Sequence, residues 1–394
     1  MQNTNKWLYA IPAGLLIISL IASTIFFRNQ KPTIVEQTVE PAIEEVDETL
    51  IVVEPSLPKT EACPLNGAMY TKPEQESWSK RRPLAVMVEN SQDARPQSGL
   101  ANADIIFEAV AEGGITRFMA MYYCDAQKED VLIAPVRSAR TYFINLASGF
   151  NLPMYVHVGG ANLEGPTNAL GQLADYGWNM QNAINQFSVG YPTFIRDYNR
   201  LPGKEVATEH TMTTTSEKLW TVAEKRGWTN MSKAMTVNKK TIEPSDWQDG
   251  YKGWAFEDGV SKGQEQKVSY SFWTGLPNFD VSWTYDASNN VYLRTLGGEK
   301  HLDLNTEEQL AFTNVIVMFA KETGPINEAK HMIYEVIGKG KGILFANGEA
   351  QDIQWTKKTR ESELEFSDKN GKELVMPRGK IWVSVLPDGN KVTY

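Results

Sequence analysis

From Leu84 onward the chain is a succession of short apolar runs broken by Gly, Asn and Pro. The runs "LAVMVEN" (84–90), "ADIIFEAV" (103–110), "ITRFMAMYY" (115–123) and "PMYVHVGG" (153–160) are rich in β-branched and aromatic residues, and they predict strands. Between them, "SARTYFINLASGF" (138–150) sets Phe143, Leu146, Ala147 and Phe150 at helical spacing, with Ser138 as the expected N-cap. A second helix is predicted over "TTTSEKLWTVAEKRG" (213–227), opened by the capping box Thr214-x-x-Glu217 and stopped at Gly227.

Beyond about Asp249 the period shortens to two. "KVSYSFWT", "FDVSWTYD" and "NVYLRTL" alternate apolar and polar positions, with a hairpin turn expected over 286–290. "TNVIVMFAKE", "HMIYEVIG", "GKGILFANG", "LEFSD" and "GKIWVSVLP" continue the pattern, with one short helix expected near "NTEEQLAF" (305–312). The fold class is therefore α+β: a mixed α/β N-terminal domain over 63–235 followed by a β-rich C-terminal domain over 236–394.

The first residues follow neither pattern. "WLYAIPAGLLIISLIASTIFF" (7–27) is uncharged throughout and would span roughly 30 Å as a helix, the thickness of a bilayer core. Its length and poor cleavage site favour an uncleaved single transmembrane helix, an anchor over 1–31, above a removed signal peptide. No cysteine follows the run, so a lipid anchor on a processed cysteine is excluded. Lys6 balances Arg28 and Lys31, so flanking charge leaves the orientation open. The segment 32–62, rich in Glu, Val, Thr and Pro, reads as an extended tether.

Of 394 residues, 48 are acidic and 39 basic, for a net charge of −9, which gives no support to a nucleic-acid partner. Any positive site must be local. The two cysteines, Cys63 and Cys124, are either an extracytoplasmic disulfide or two unrelated thiols. Familiar catalytic patterns are absent, and the four histidines His157, His210, His301 and His331 show no ligand spacing, so neither a metal nor another cofactor is expected.

"RPLAVMVENSQDARPQSGLANADIIFEAVAEGGITRFMAMYY", "APVRSARTYF", "YVHVGG" and "FIRDYNR" together resemble the YerB-like family of bacterial envelope proteins, a two-part domain of unknown function. The resemblance runs from about Arg82 to Val385 and is most specific in the first half. It implies a body outside the cytoplasmic membrane, and the run over 7–27 would hold that body as a single-pass protein of the cell membrane. Many members are lipoproteins, whereas this chain carries an apolar span instead. It also shows "TEHTMTT" where the family usually has a Pro-His-Asn-like turn, so only His210 of that motif is carried over. The family brings no established reaction.

Arginine is the informative residue in the motifs. Arg95, Arg117, Arg137, Arg140, Arg196 and Arg200 fall at expected strand ends and turns, and a guanidinium fork suits carboxylate or phosphate. Structural ion pairs with Asp93, Asp104, Glu108, Glu112 and Asp197 are the plainer alternative. If Ser138 caps a helix, Arg137 and Arg140 stand where the helix dipole is positive, and an anion would complete the site. That anion would be either a ligand or a buried carboxylate of the protein. His157 is the candidate general base, with Glu89, Glu108 or Glu112 as its carboxylate partner; in the plainer alternative it is structural. Three functions are thus in play: binding an anionic envelope component such as a cell-wall polymer, hydrolysis or transfer on such a polymer, or assembly with another envelope protein. The sequence leaves enzymatic activity and oligomeric state open.

Overall fold

Among the described residues, thirteen strands of three or more residues carry the two sheets that matter here. In chain order they are β1 (Leu84–Glu89), β2 (Ile105–Glu112), β3 (Ile115–Tyr122), β4 (Met154–His157), β5 (Ala183–Asn185), β6 (Lys267–Ser271), β7 (Asp280–Asp286), β8 (Val291–Leu296), β9 (Asn314–Ala320), β10 (Gly338–Ala346), β11 (Glu349–Lys357), β12 (Glu365–Asp368) and β13 (Ile381–Pro387). The protein is described as a computed structural model over residues 57–237, 240–263 and 266–394. The span expected at 7–27 and most of the tether lie outside these residues. Among the described residues no helix is long and apolar enough to cross a membrane.

Ten strands form one mixed sheet in the order β12-β11-β10-β9-β13-β2-β3-β1-β4-β5. Strands from both sides of residue 235 share it, because β13 lies parallel to both β2 and β9. β1, β2, β4 and β5 run in one direction and β3 runs against its neighbours β1 and β2. All of β1 and seven of the eight residues of β2 are buried, as expected of strands covered on both faces.

β6, β7 and β8, with the short strands Glu299–Lys300, Ala311–Phe312 and Val392–Thr393, make a second sheet. It covers one face of the first through aromatic contacts, Trp283 and Phe312 both meeting Trp382 with ring centroids 5.4 and 5.1 Å apart. Each such pair adds about 0.5–1.5 kcal/mol beyond its buried area. The opposite face is covered by the helix α1 (Thr141–Ala147) and its 3-10 continuation Ser148–Phe150, with Phe150 packed on Phe107. A seven-residue helix is too short to persist alone, so burial of Tyr142, Phe143, Ile144, Leu146 and Ala147 holds it.

Three expectations need correction. α1 begins at Thr141 with Arg140 in the cap position, so Ser138 caps nothing. The reason is remote: Val136, Arg137 and Ala139 donate their backbone amides to Met212, Met87 and Gly159, which keeps this stretch extended. The helix α2 (Ser216–Lys225) is capped by Thr215, because Thr214 pairs with Ile133 in a small sheet and donates its hydroxyl to Thr193. No helix forms over 305–312; the Asp303 carboxylate accepts the amides of Ala101 and Asn305 and fixes a turn that leads into Ala311–Phe312.

The strand Lys59–Ala62 pairs with Met69–Thr71 ahead of the main body. Cys63 and Cys124 are joined as a disulfide with their Cα atoms 6.0 Å apart. Beside it the buried Asp104 carboxylate accepts from Asn66 and from the amides of Tyr123 and Cys124.

Candidate functional site

The parallel strands β1, β2, β4 and β5 end along one edge of the sheet, where α/β folds place their ligands. Glu89, Glu112, His157 and Asn185 are the last residues of those four strands, and Arg117 enters near the start of β3. The extended stretch from Ala134 to Ala139 crosses the same edge. Arg137 donates its amide to Met87 and accepts from Val158, and Ala139 donates to Gly159. These contacts bring Arg117, Arg137, Ser138, Arg140 and His157 together.

Glu112 faces Arg117 because of an irregularity in the ladder. β2 and β3 slip in register between Val110 and Glu112, which turns the Glu112 side chain away from the face that Glu108 occupies. Arg117 donates to its Oε1 at 2.7 Å and to the Ser138 carbonyl at 3.0 Å. Arg140 donates to its Oε2 and to the Ala139 carbonyl. Burial alone would raise the Glu112 carboxyl, but Arg117 and Arg140 outweigh it and hold it down at about 2. Burial, together with the like charge of Arg117, lowers Arg140. These two arginines therefore have a resident carboxylate, and 25 % of its side chain remains exposed.

A second carboxylate organises the other half of the site. Glu89, its side chain only 4 % exposed, contacts Arg137 Nε at 3.1 Å through Oε1 and His210 Nδ1 at 2.9 Å through Oε2. Burial opposes the Glu89 anion, yet the hydrogen bond from His210 and the charges of Arg137 and Arg117 lower its titration. His210 is raised, chiefly by its hydrogen bond to Glu89. No hydrogen bond within the described residues engages the terminal guanidinium nitrogens of Arg137, and 24 % of its side chain is exposed. Ser138, half-buried, stands beside it.

His157 occupies the edge but not as a poised base. It is fully buried, Nδ1 lies 2.7 Å from the Gly159 carbonyl, and Nε2 has no partner among the described residues. Burial lowers its titration to about 4, so the ring is neutral near pH 7. Gly159 itself needs its freedom: its φ is +58°, and a Cβ there would stand 3.0 Å from the Phe187 ring.

The remaining candidates lie elsewhere. Glu108 is on the opposite face, sealed with Arg294 at 2.8 Å and with Thr116 and Trp382; burial raises its carboxyl against those partners. Arg95 lines a cleft of about 410 Å³ with Lys204, Lys300 and His301, its three nitrogens donating to Asn90 and Asn278. Arg200 is buried against the carbonyls of Ala94 and Pro96, and Arg196 donates to Thr208 on an outer lobe. Asp93 is exposed, and Asp197 accepts the amide of Asn199.

Two partnerships escaped sequence reasoning. Glu89 and His210 are 121 positions apart, and Glu108 and Arg294 are 186 apart. The one available signal was "TEHTMTT", where only His210 of the family's Pro-His-Asn-like turn is carried over.

Comparison with known proteins agrees with this architecture. Residues 70–229 match the N-terminal domain and residues 270–383 the C-terminal domain of a protein of unknown function, DUF3048. YerB of Bacillus subtilis (strain 168), a candidate lipoprotein by its name, is 30 % identical over 346 residues, covering 85 % of this chain and 88 % of that one. The crystal structure of YerB from Bacillus subtilis superposes with a TM-score of 0.64 at 27 % identity, covering 85 % of this chain and all of the other. The chain belongs to the YerB-like family, the two-part DUF3048 proteins of unknown function.

Proposed function

We propose that this protein is held at the bacterial cell envelope and binds an anionic envelope component at the edge formed by Glu89, Glu112, Arg117, Arg137 and Arg140. The name of its Bacillus subtilis relative supports an envelope address, and the uncharged run over 7–27 supports a single-pass anchor that leaves the body outside. One observation carries the binding reading: Arg137 keeps its terminal nitrogens unengaged in a cluster where three guanidiniums face two carboxylates, a formal surplus of 3 − 2 = +1 before His210 is counted. A planar fork with free donors is what a carboxylate or phosphate takes in two parallel hydrogen bonds.

Arg117 and Arg140 serve a different purpose. With Glu112 already between them, their contribution is to fix the edge and its electrostatic sign. The test is thermal unfolding of the full chain in detergent, with and without inorganic phosphate or anionic muropeptides. The parent should be stabilised by the anion, as anything bound only to the folded state raises its stability, and Arg137→Lys should lose most of that shift at unchanged basal stability. No anion-dependent shift in the parent would remove the binding reading.

A further inference from the structure

We infer that His210 and Glu89 form an acid–base pair for hydrolysis of a carboxylic ester on the anionic molecule that Arg137 binds. The inference rests on the proposed anion site but asks more of it. His210 is tethered as an acid–base histidine must be: Glu89 Oε2 lies 2.9 Å from Nδ1, which sets the proton on that nitrogen and leaves Nε2 as the reactive atom. Nε2 makes no hydrogen bond within the described residues, and 12 % of the side chain reaches solvent. The same carboxylate steadies Arg137 through its other oxygen, so imidazole and guanidinium share one support at the ligand edge of the sheet.

The chemistry follows from what surrounds that ring. Ser91 Oγ lies 3.3 Å from Nδ1, on the Glu89 side, so it is not the hydroxyl that Nε2 would activate. Water is therefore the nucleophile. A single imidazole nitrogen must act as base and then as acid from one side. That suits a carbonyl, where the entering and leaving oxygens share one tetrahedral centre, better than in-line displacement at phosphorus, where they lie on opposite sides.

Nε2 takes a proton from water as the water oxygen bonds to the ester carbon, and the carbonyl π pair becomes an oxyanion in the positive field of the edge, while Arg137 holds the molecule's own anionic group. Collapse restores the carbonyl and breaks the bond to the alcohol oxygen, which receives the proton from Nε2. One ester and one water give one acid and one alcohol, with no change of oxidation state. His210 is the catalytic residue and Glu89 a positioning residue.

The test uses the full chain in detergent with 4-acetoxybenzoate, an aryl ester bearing a carboxylate. The parent should release 4-hydroxybenzoate with a rate that rises through the His210 titration, and His210→Asn should lower that rate by about 100-fold or more. Glu89→Gln should move the inflection down by about one pH unit, a change that a merely structural Glu89 would not produce. Titration of His210 followed by NMR in the parent and in Glu89→Gln checks the same shift without turnover, and the dispersed amide spectrum of each variant, His210→Asn included, shows that it is folded. A parent no faster than folded His210→Asn, or a Glu89→Gln profile with an unmoved inflection, overturns the inference. Stabilisation by 4-hydroxybenzoate separates the two readings: if it persists in a protein that hydrolyses nothing, the anion site stands and the acid–base pair falls. If no anion binds, the anion site falls first and this inference with it.

Discussion

Arg294 donates to Glu108 at 2.8 Å across 186 positions of sequence, and neither side chain has any exposure to solvent. The pair sits between the two sheets, with Trp382 stacked on the guanidinium at 4.2 Å and its indole N–H donating to the same carboxylate oxygen. Removing one member leaves a buried charge alone. Arg294→Met should therefore cost about 3–5 kcal/mol in urea unfolding, and adding Glu108→Leu should recover much of the loss. Equal stability of the single variant and the parent would refute this account.

Arg140 and Arg137 should respond differently to the same change. Arg140 is buried and donates to both Glu112 and the Ala139 carbonyl, so Arg140→Lys loses a fork in a closed environment. It should destabilise the protein by about 1–3 kcal/mol with no ligand present. Arg137→Lys keeps the positive charge beside Glu89 and gives up no hydrogen bond of the terminal nitrogens, so it should leave the midpoint within about 0.5 kcal/mol. Paired denaturation curves decide the matter.

The His157 contribution to stability should fall as pH drops from about 6.5 toward 4, while the buried Asp104 carboxyl, raised to about 7 by burial, contributes in the opposite sense. His157 titrates near 4 when folded against an unfolded value near 6.5, so in that window the unfolded chain binds the extra proton. The stability of its neutral form is complete above pH 6.5, and its loss amounts to about 3 kcal/mol by pH 4. Burial lowers His301 too, in the same sense. Glu112, held at about 2, contributes stability that is present above its unfolded value and lost progressively as pH falls from there toward 2. His157→Gln should remove the His157 component, so that the variant loses about 3 kcal/mol less than the parent between pH 6.5 and 4.

Reduction should weaken the body. The bridge Cys63–Cys124 closes a loop of 61 positions, worth about 4 kcal/mol in the chain-entropy picture. Unfolding with and without dithiothreitol measures the difference, and an unchanged midpoint would count against it.

Local pattern revealed the strands well. β1, β3 and β4 lie within three of the runs marked by β-branched and aromatic residues, β2 overruns its own by Ala111 and Glu112, and β7 and β8 meet at the expected hairpin. It failed where a distant strand had first claim on the backbone: Ser138 looks like a cap until Ala139 is seen donating to Gly159. The arginines were legible as a group, but their division was not. Glu112 reaches Arg117 only through a slip in register, and a spacing of four cannot reveal which face a bulged strand presents.

The place of β13 has a consequence for how the chain is made. Ile381–Pro387 lies between β9 and β2, pairing Ile381 with Ile105 across 276 positions. The middle of the sheet is thus synthesised after every other strand of that sheet. Until it arrives β2 and β9 cannot join, and each presents an unpaired edge to other chains. Nascent protein should therefore keep this sheet in two unjoined parts until Ile381–Pro387 has been made. A stop codon at Lys380 should remove the structure of both halves rather than trim one.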